Sequence, residues 1–242
     1  MTDWLQRSEL LVKTEGLEKL NKANILVVGL GGVGSFAAEF LARAGVGNLT
    51  IVDGDTVDIT NINRQLPALQ STVGKNKVEV VAERIKDINP DINLTPINEF
   101  LSPERMDEIL EENSFNYVLD CIDSVSPKLA LIKACRRRKI KLVSSMGAGG
   151  KTDPSKVLVR DLSKTNNCYL AKQIRKRLKK EGITKGFRCV FSTEIQKEES
   201  LKLTDGSNYK KSYYGTISYM PALFGLNAAA EVINYLLKKS ED

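Results

Sequence analysis

The sequence predicts an α/β fold: a Rossmann-like, doubly wound and mostly parallel sheet with antiparallel additions towards its C-terminal end. Apolar segments rich in β-branched residues alternate with helical patterns, which is typical of parallel strands joined by crossover helices. A glycine-rich turn follows the first strand, and the alternation breaks at the glycines of 147–150. The 242 residues are predicted to form one domain. Within it we expect a core at 1–150, an insertion at 151–215 and a C-terminal helix at 216–242.

The order of the elements follows from the hydrophobic period and from turn residues. Strands are predicted at 25–28, 49–52, 93–97, 117–121, 140–144, 156–160 and 187–191. Helices are predicted at 35–44, 77–88, 104–110, 126–138 and 216–239, the last with a proline in its first turn. Residues 172–180 form a basic stretch, and 196–214 are predicted to be a mobile loop.

The glycine turn after the first strand predicts a phosphate site. Gly29, Gly31 and Gly34 have the Gly-x-Gly-x-x-Gly spacing between an apolar strand and a helix. Glycine permits a tight turn with positive φ and lets backbone N–H groups approach phosphate oxygens, while the helix N-terminus directs its partial positive charge at them. Gly32, inside the same turn, either serves the phosphate or only allows a close helix contact.

An acidic residue ends the second predicted strand. Asp53 follows the glycine turn by about twenty residues, where a carboxylate in this fold accepts hydrogen bonds from ribose hydroxyls. The other interpretation is that Asp53 only caps a turn. Strand, glycines, helix and acid together favour a nucleotide, but this unit alone does not distinguish NAD from ATP.

Three further motifs distinguish between these nucleotides. Residues 53–65 read DGDTVDITNINRQ, 73–79 read VGKNKVE and 119–124 read LDCIDS. With the glycine turn, they resemble the E1-like adenylating superfamily, which includes the activators of ubiquitin-like and sulfur-carrier proteins. Within it the chain resembles the tRNA threonylcarbamoyladenosine dehydratases, from about Arg7 to the last helix. The resemblance implies a single E1-like adenylation domain whose nucleotide-binding core is 1–150 and whose substrate-facing insertion is 151–215.

The resemblance also implies a role for each motif residue. Arg64 and Lys77 would contact the phosphates of ATP. Asp123, which matches the acid at the end of the fourth strand in the superfamily, would help to hold Mg²⁺, and Asp53 would bind the ribose. Asp55 and Asn61 would line the nucleotide pocket, and Arg7 would reach the triphosphate of the partner subunit in a homodimer. Because ligands of such sheets bind at the carboxyl ends of the strands, Gly29, Asp53 and Asp123 are expected to converge there. Adenylation builds negative charge at the α-phosphate, so cations and a metal suit its chemistry. Lys77 could instead be a solvated lysine at a helix start, and Asp123 a helix cap.

Cysteine and histidine usage excludes several kinds of site. The chain has no histidine, which excludes Ser-His-Asp triads and His-ligated metals and makes a dehydrogenase a weaker second class. Its four cysteines form no Cys-x-x-Cys pair, whereas many sulfur-carrier activators of the superfamily have two such pairs for zinc. Cys168 and Cys189 flank a basic segment and are better candidates for reactivity than Cys121 and Cys135, but we expect no obligatory nucleophilic cysteine.

Charge points to a nucleic-acid partner. The net charge of +6 comes partly from two basic clusters, at 136–139 and 172–180, which could neutralise phosphates or be solvated helix faces. Tyr209, Tyr213 and Tyr214, near Lys210 and Lys211, could stack a base or anchor a loop. We expect a cytoplasmic protein with no membrane partner, because no secretory signal and no apolar run long enough to span a bilayer were found.

The residues favour an ATP-dependent enzyme, and the resemblance implies that it cyclises N6-threonylcarbamoyladenosine at tRNA position 37 through an acyl-adenylate. The cofactors would be ATP and Mg²⁺, with a monovalent cation left open, and the partners would be the modified tRNA, a second subunit and, again left open, a sulfur-transfer protein. The first alternative is adenylation of the C-terminal glycine of a ubiquitin-like or sulfur-carrier protein. A nucleotide-binding regulatory module without turnover is the second.

Overall fold

The computed structural model describes residues 3–203 and 212–238. The helices are α1 (Gln6–Lys22), α2 (Gly34–Arg43), α3 (Lys77–Ile88), α4 (Pro103–Glu112), α5 (Val125–Arg137), α6 (Tyr169–Lys179) and α7 (Tyr219–Lys238). The strands are β1 (Asn24–Val28), β2 (Asn48–Val52), β3 (Asn93–Ile97), β4 (Tyr117–Asp120), β5 (Lys141–Ser145), β6 (Val157–Asp161), β7 (Arg188–Ser192), β8 (Leu201–Leu203) and β9 (Ser212–Tyr214).

Seven strands form one sheet, in the order β3-β2-β1-β4-β5-β7-β6. All neighbours in this sheet are parallel except β6 and β7, which are antiparallel. The predicted mostly parallel sheet with antiparallel C-terminal additions is therefore confirmed. The segment after Gly150 adds β6 and β7 to this sheet, and its helix α6 packs on the sheet. The segment therefore shares the core of the first part of the chain.

Two helical layers cover the sheet. On one face α2, α3 and α7 bury residues such as Leu41, Val81 and Phe224. On the other face α4, α5 and α6 bury residues such as Ile109 and Ile174. Because every crossover between parallel strands returns to the same starting edge, the loops after β1, β2, β3, β4 and β5 all lie at the carboxyl edge of the sheet.

Helix α1 was not predicted from the sequence. Its residues are mostly polar, and it is interrupted at Lys13, whose φ of 63° is not helical. It packs against α7, while Leu10 and Leu11 are exposed. A weak hydrophobic period and a break in the middle explain why the pattern did not predict it.

Helix α7 corrects one expectation about membranes. With 20 residues and a mean hydropathy of 1.2 it is long and apolar enough to cross a bilayer by length and composition, so the expectation that no apolar run is long enough was wrong. Met220, Phe224 and Val232 are nevertheless buried in the core, and α7 packs against α2 and the sheet. Core helices of this kind meet the same length and composition criteria.

The segment predicted as a mobile loop contains regular structure. Strands β8 and β9 pair in an antiparallel hairpin, with Leu201 opposite Tyr214 and Leu203 opposite Ser212. The prediction of a loop was therefore wrong for these strands. Tyr209, Lys210 and Lys211 lie outside the described residues.

Candidate nucleotide site at the carboxyl edge

The glycine turn joins β1 to the N-terminus of α2 in a conformation that only glycine fits. Gly29 has a φ of +91°, and a Cβ there would lie 3.0 Å from the Cys121 carbonyl oxygen. A Cβ on Gly34 would overlap the Gly29 carbonyl oxygen. The turn is therefore closed on itself, and the first N–H groups of α2 are directed towards the carboxyl edge.

The two middle glycines of the turn differ in their surroundings. A Cβ on Gly31 would meet nothing closer than the Gln65 amide nitrogen at 3.7 Å, which is ordinary contact. A Cβ on Gly32 would lie 2.9 Å from Pro221 in α7 and 3.0 Å from the Arg64 carbonyl oxygen. Close packing therefore explains Gly32 by itself, and its role at a phosphate stays a prediction.

Asp53 follows β2 and faces the glycine turn. Its Oδ2 accepts a hydrogen bond from the Leu30 N–H at 2.6 Å, and its Oδ1 accepts one from the Asp55 N–H at 2.8 Å. Burial raises the pKa of Asp53 above its ordinary value, although these N–H groups and the Lys77 ammonium lower it. The carboxylate does cap a turn, but each oxygen keeps acceptor capacity for a ribose hydroxyl.

Lys77 stands in the first turn of α3 and pairs with Asp55. Its side chain is only 6% exposed, and its Nζ lies 3.0 Å from Asp55 Oδ2, whereas the Asp55 side chain is 51% exposed. The interpretation of Lys77 as a solvated lysine is therefore wrong. The buried stem holds the ammonium at the carboxyl edge, where Asp55 faces solvent on its other side.

The loop after β2 carries Asn61 and Arg64. Asn61 is buried, and its Oδ1 accepts from the Asp58 N–H at 3.3 Å in a reciprocal capping box. Arg64 donates through Nη1 to the Thr60 carbonyl oxygen at 2.7 Å and to Asn63 Oδ1 at 2.8 Å. Within residues 3–203 and 212–238 no carboxylate forms an ion pair with Arg64. Its positive charge is thus available for an anion.

Asp123 lies in the loop that leads into α5. The sequence assigned it to the end of the fourth strand, but β4 ends at Asp120, so that placement was wrong. The Asp123 side chain is exposed and accepts from Ser124 Oγ at 3.3 Å. The N-cap of α5 is Ser124, so Asp123 is not the helix cap.

The side chains at this edge fit a magnesium ion that is held partly by the protein and partly by phosphate oxygens of a bound ligand. In the described part of the chain no three His, Cys, Asp or Glu side chains cluster as a metal site. Mg²⁺ needs no such cluster, because it keeps several waters and is held by one or two carboxylates together with phosphate oxygens. One exposed carboxylate, Asp123, in the loop after β4 meets that requirement.

The comparisons with known proteins decide the family. The model of the ThiF family matches residues 5–242. The chain belongs to the ThiF family. It is 42% identical to the tRNA threonylcarbamoyladenosine dehydratase of Bacillus subtilis, over 100% of this chain and 97% of that protein.

A solved structure resembles this ThiF-family chain equally closely. The crystal structure of the Escherichia coli tRNA N6-threonylcarbamoyladenosine dehydratase in complex with ATP matches with a TM-score of 0.88 and 41% identity, over 99% of this chain and 97% of that one. The molybdopterin-synthase adenylyltransferase of Salmonella typhimurium is 44% identical, but over 54% of this chain and 51% of that protein. The similarity to the dehydratases is therefore similarity along the whole chain.

The structure shows no contact that would define a role for Arg7 among the residues that it describes. It is exposed in the first turn of α1, a helix that packs against α7. Its predicted contact is with the nucleotide of a second subunit, so this one ThiF-family chain does not test it.

The cysteines of this ThiF-family chain are not arranged as nucleophiles. Cys168 and Cys189 are buried, and burial raises the pKa of Cys189 far above its ordinary value. Burial also raises the pKa of Cys121 and of Cys135 to about 12. The expectation that Cys189 is more reactive than Cys121 and Cys135 was wrong, since it lies in a central strand of the sheet.

The sequence pattern did not reveal a buried polar group beside the site. Lys128, on α5, is completely buried and contacts Asp120. A signal was available: Lys128 shares the helical spacing of Ile132 and Cys135, which are both core residues. A lysine on an apolar face is costly unless it is paired, so it marks a partner acid nearby.

Proposed function

We propose that the chain is an ATP-dependent tRNA threonylcarbamoyladenosine dehydratase. The carboxylate of N6-threonylcarbamoyladenosine at position 37 of tRNA attacks the α-phosphate of ATP and releases pyrophosphate. A nitrogen or oxygen of the same modification then attacks the acyl-adenylate and expels AMP, which carries away the carboxylate oxygen, so the cyclised nucleoside is lighter by the elements of one water. The observation that carries the proposal is the match along the whole chain to a dehydratase in complex with ATP. The side chains at the carboxyl edge support it, because they combine a ribose acceptor, two cations and an exposed carboxylate.

Each side chain has a task in adenylation. Asp53 accepts the ribose hydroxyls, and Arg64 with Lys77 stabilises the negative charge that develops at the α-phosphate. Asp55 holds the Lys77 ammonium in position and, with Asn61, lines the pocket. Asp123 would hold Mg²⁺, which supplies further positive charge at the phosphates. The nitrogen or oxygen that attacks the acyl-adenylate belongs to the modification itself. Because this attack is intramolecular, its high effective molarity replaces a catalytic cysteine.

The exposed face of α6 is the surface that we assign to the tRNA backbone. Lys172, Lys176, Arg177, Lys179 and Lys180 are exposed, and none of them is in an ion pair with another described residue. Charges without acidic partners are available to neutralise phosphates. Segment 151–215, which contains α6, is then the substrate-facing part of a single adenylation domain, between the nucleotide-binding core and the C-terminal helix.

The other basic cluster is a weaker candidate for RNA. Arg137 and Arg138 both pair with Asp107 of α4, and Arg136 donates to the Gly186 carbonyl oxygen at 2.8 Å. These arginines tie helices and loops together, and their charge is largely compensated. Tyr213 is half exposed on β9 and offers an aromatic ring that could stack a base.

Further parts of the proposal concern the assembly and its surroundings. We expect a cytoplasmic homodimer in which Arg7 of one subunit reaches the nucleotide of the other, and the exposed Leu10 and Leu11 of α1 support burial of this helix in an interface. A monovalent cation and a sulfur-transfer protein stay open as additional cofactor and partner.

The test is mass spectrometry of nucleosides from tRNA that carries threonylcarbamoyladenosine, after incubation with the protein, ATP and Mg²⁺. Loss of one water from the modified nucleoside, absent without ATP, is the expected result. No change with competent tRNA would move the proposal to adenylation of a carrier-protein C-terminus, which ATP–pyrophosphate exchange with such carriers would detect.

Asp123→Asn provides the matched variant for this experiment. It should abolish the Mg²⁺-dependent reaction while the free energy of unfolding changes by less than about 0.5 kcal/mol, because the side chain is exposed. Asp91→Asn is the control, since Asp91 is exposed before β3 at the opposite edge of the sheet. Full activity of Asp123→Asn would remove this residue from the site.

A further inference from the structure

An ammonium group is buried between β4, α5 and β5. The side chains of Lys128 and Asp120 are 0% exposed, and Lys128 Nζ lies 2.7 Å from Asp120 Oδ2. The same ammonium donates to Ser144 Oγ at 3.2 Å and to the Ser145 carbonyl oxygen at 2.9 Å. All three donors of the ammonium are therefore used, and Ser144 Oγ in turn donates to Asp120 Oδ2 at 2.6 Å.

Stability alone is a weak reason for such a pair. A buried ion pair recovers little more than its own desolvation cost, and well-packed apolar residues of similar volume often replace one without loss of stability. The informative question is which parts of the chain the group holds in place. Lys128 connects two loops that both belong to the carboxyl edge.

The first of these loops carries Asp123. Asp120 Oδ1 accepts from the Ile122 N–H at 3.1 Å and so fixes the turn that begins the loop. Within this turn the Cys121 carbonyl oxygen lies 3.0 Å from the position of a Cβ on Gly29, and the Cys121 Cβ lies 3.0 Å from that of a Cβ on Gly34. The loop is thus packed directly against the glycine turn, and Asp123 comes two residues after this contact.

The second loop leads into the substrate-facing segment. Ser145 is the last residue of β5, and Met146 and the glycines of 147–150 follow it. Gln196 donates from Nε2 to the Gly149 carbonyl oxygen at 3.1 Å, and Gly150 N–H donates to the Gly215 carbonyl oxygen at 2.8 Å. This loop therefore reaches the segment that we assign to the tRNA.

We propose that Lys128 is a positioning residue that fixes the Asp123 loop relative to the loop at 146–150, so that ATP and the carboxylate of the modified nucleoside meet in reactive geometry. Small displacements of reacting groups have large effects on rate. The assignment rests on the proposed function for its kinetic consequence, but its structural consequence can be measured without tRNA.

The variants separate the ammonium from the buried charge that it compensates. Lys128→Met leaves the buried Asp120 without a compensating positive charge and is expected to destabilise the fold. Asp120→Asn combined with Lys128→Met removes both charges and keeps an oxygen that can accept from Ile122. Lys128→Arg restores a cation. Glu39→Gln is the control, because the largely buried Glu39 pairs with Arg43 and Arg84 and lies on α2, outside both loops.

The structural readout is hydrogen exchange of the Cys121 and Ile122 amides in the native protein, with the Ile51 amide of β2 as the internal reference. The Cys121 N–H donates to the Val28 carbonyl oxygen and the Ile122 N–H to Asp120 Oδ1, so both amides exchange faster when the loop opens. We expect the Cys121 amide in the double variant to exchange about tenfold faster relative to Ile51, and the control to match the wild type.

The kinetic readouts are ATP affinity without Mg²⁺ and turnover in ATP–pyrophosphate exchange with the modified tRNA. In the double variant affinity should stay within about threefold, because the glycine turn and Asp53 are untouched, while turnover falls by about tenfold or more. Lys128→Arg should recover part of it.

Wild-type turnover and wild-type hydrogen exchange at Cys121 in the folded double variant would overturn the assignment and leave the pair with a structural role alone. If the wild-type protein itself fails to react with tRNA, the proposed function fails, while the hydrogen-exchange result still decides whether Lys128 holds the loop.

Discussion

Two glycines of the same turn differ in the space around them, and this difference predicts opposite effects of the same substitution. A Cβ on Gly34 would overlap the Gly29 carbonyl oxygen, whereas one on Gly31 meets ordinary contacts. Gly34→Ala should therefore lower the free energy of unfolding by about 3 kcal/mol, as forced overpacking does. Gly31→Ala should change it by less than about 1 kcal/mol.

The substitution that barely changes stability, Gly31→Ala, is the informative one for ATP binding. Gly31→Ala is expected to fold and yet weaken ATP binding, since its methyl group would occupy the space where phosphate oxygens approach the backbone. Urea unfolding and isothermal titration with ATP measure the two effects. Wild-type affinity in Gly31→Ala would place the phosphates elsewhere.

The carboxyl group of Asp53 predicts a pH dependence. Burial raises its pKa in the folded protein above the ordinary value of 3.8, so its contribution to stability is fully present below 3.8 and is lost as pH rises through the folded pKa. Ribose hydroxyls are bound by the ionised form. ATP affinity should therefore fall as the pH is lowered towards the folded pKa of Asp53.

Asp53→Asn is the matched variant for this dependence. Its ATP affinity should be weaker at neutral pH, because one of the two backbone N–H groups would face an amide N–H instead of an oxygen. Titration of both proteins with ATP across the acidic range is the measurement. Equal pH dependence in the two proteins would show that another group is titrating.

At the scale of one element, α6 predicts the salt dependence of RNA binding. Lys172, Lys176 and Lys179 lie four and three residues apart on its exposed face. Their replacement by Gln should weaken tRNA binding and reduce the slope of log K against log salt by about 0.7 to 0.9 for each phosphate that the variant no longer neutralises. Filter binding at several salt concentrations measures both.

The control is the combined variant Arg137→Gln and Arg138→Gln. It removes two positive charges from the other basic cluster, where Asp107 and Glu111 pair with them. Its salt slope should match that of the wild type. A weakening equal to that of the α6 variant would mean that net charge, and not this surface, governs RNA binding.

Elements with a strong local pattern were predictable, and elements with non-local causes were not. β1 and α2 followed from four apolar residues, a glycine turn and the helical period, and Gly45, with a φ of +86°, follows the C-cap of α2. Asp123 was wrongly placed at the end of the fourth strand because Asp120, which does end β4, and Asp123 are acids in the same motif. The two acids differ because Asp120 is buried and pairs with Lys128 of α5, whereas Asp123 is exposed. The local sequence pattern does not reveal that contact.

The site followed from the sequence to a similar degree. Gly29, Asp53 and Asp123 were expected at one edge because parallel strands end there, and the structure places them in the loops that follow β1, β2 and β4. The ion pair of Lys77 with Asp55 and the packing of Gly32 against Pro221 join residues far apart in the chain. Contacts of this kind depend on the path of the loop after β2 and on the position of α7, and the hydrophobic period of the sequence encodes neither.

At the scale of the whole molecule, α1 carries Arg7 and packs on α7, and the predicted contact of Arg7 with the nucleotide of a second subunit makes the oligomer testable. If Arg7 of one subunit completes the site of the other, Arg7→Ala and Lys77→Met each inactivate the homodimer, but a heterodimer contains one site with both residues. Half of the dimers in an equilibrated mixture are heterodimers, so activity should return to about a quarter of the wild type. Steady-state turnover of the two variants, alone and mixed, is the measurement. Activity that stays at the level of the separate variants, while a tagged pull-down confirms subunit exchange, would mean that Arg7 acts within its own chain or not at the nucleotide.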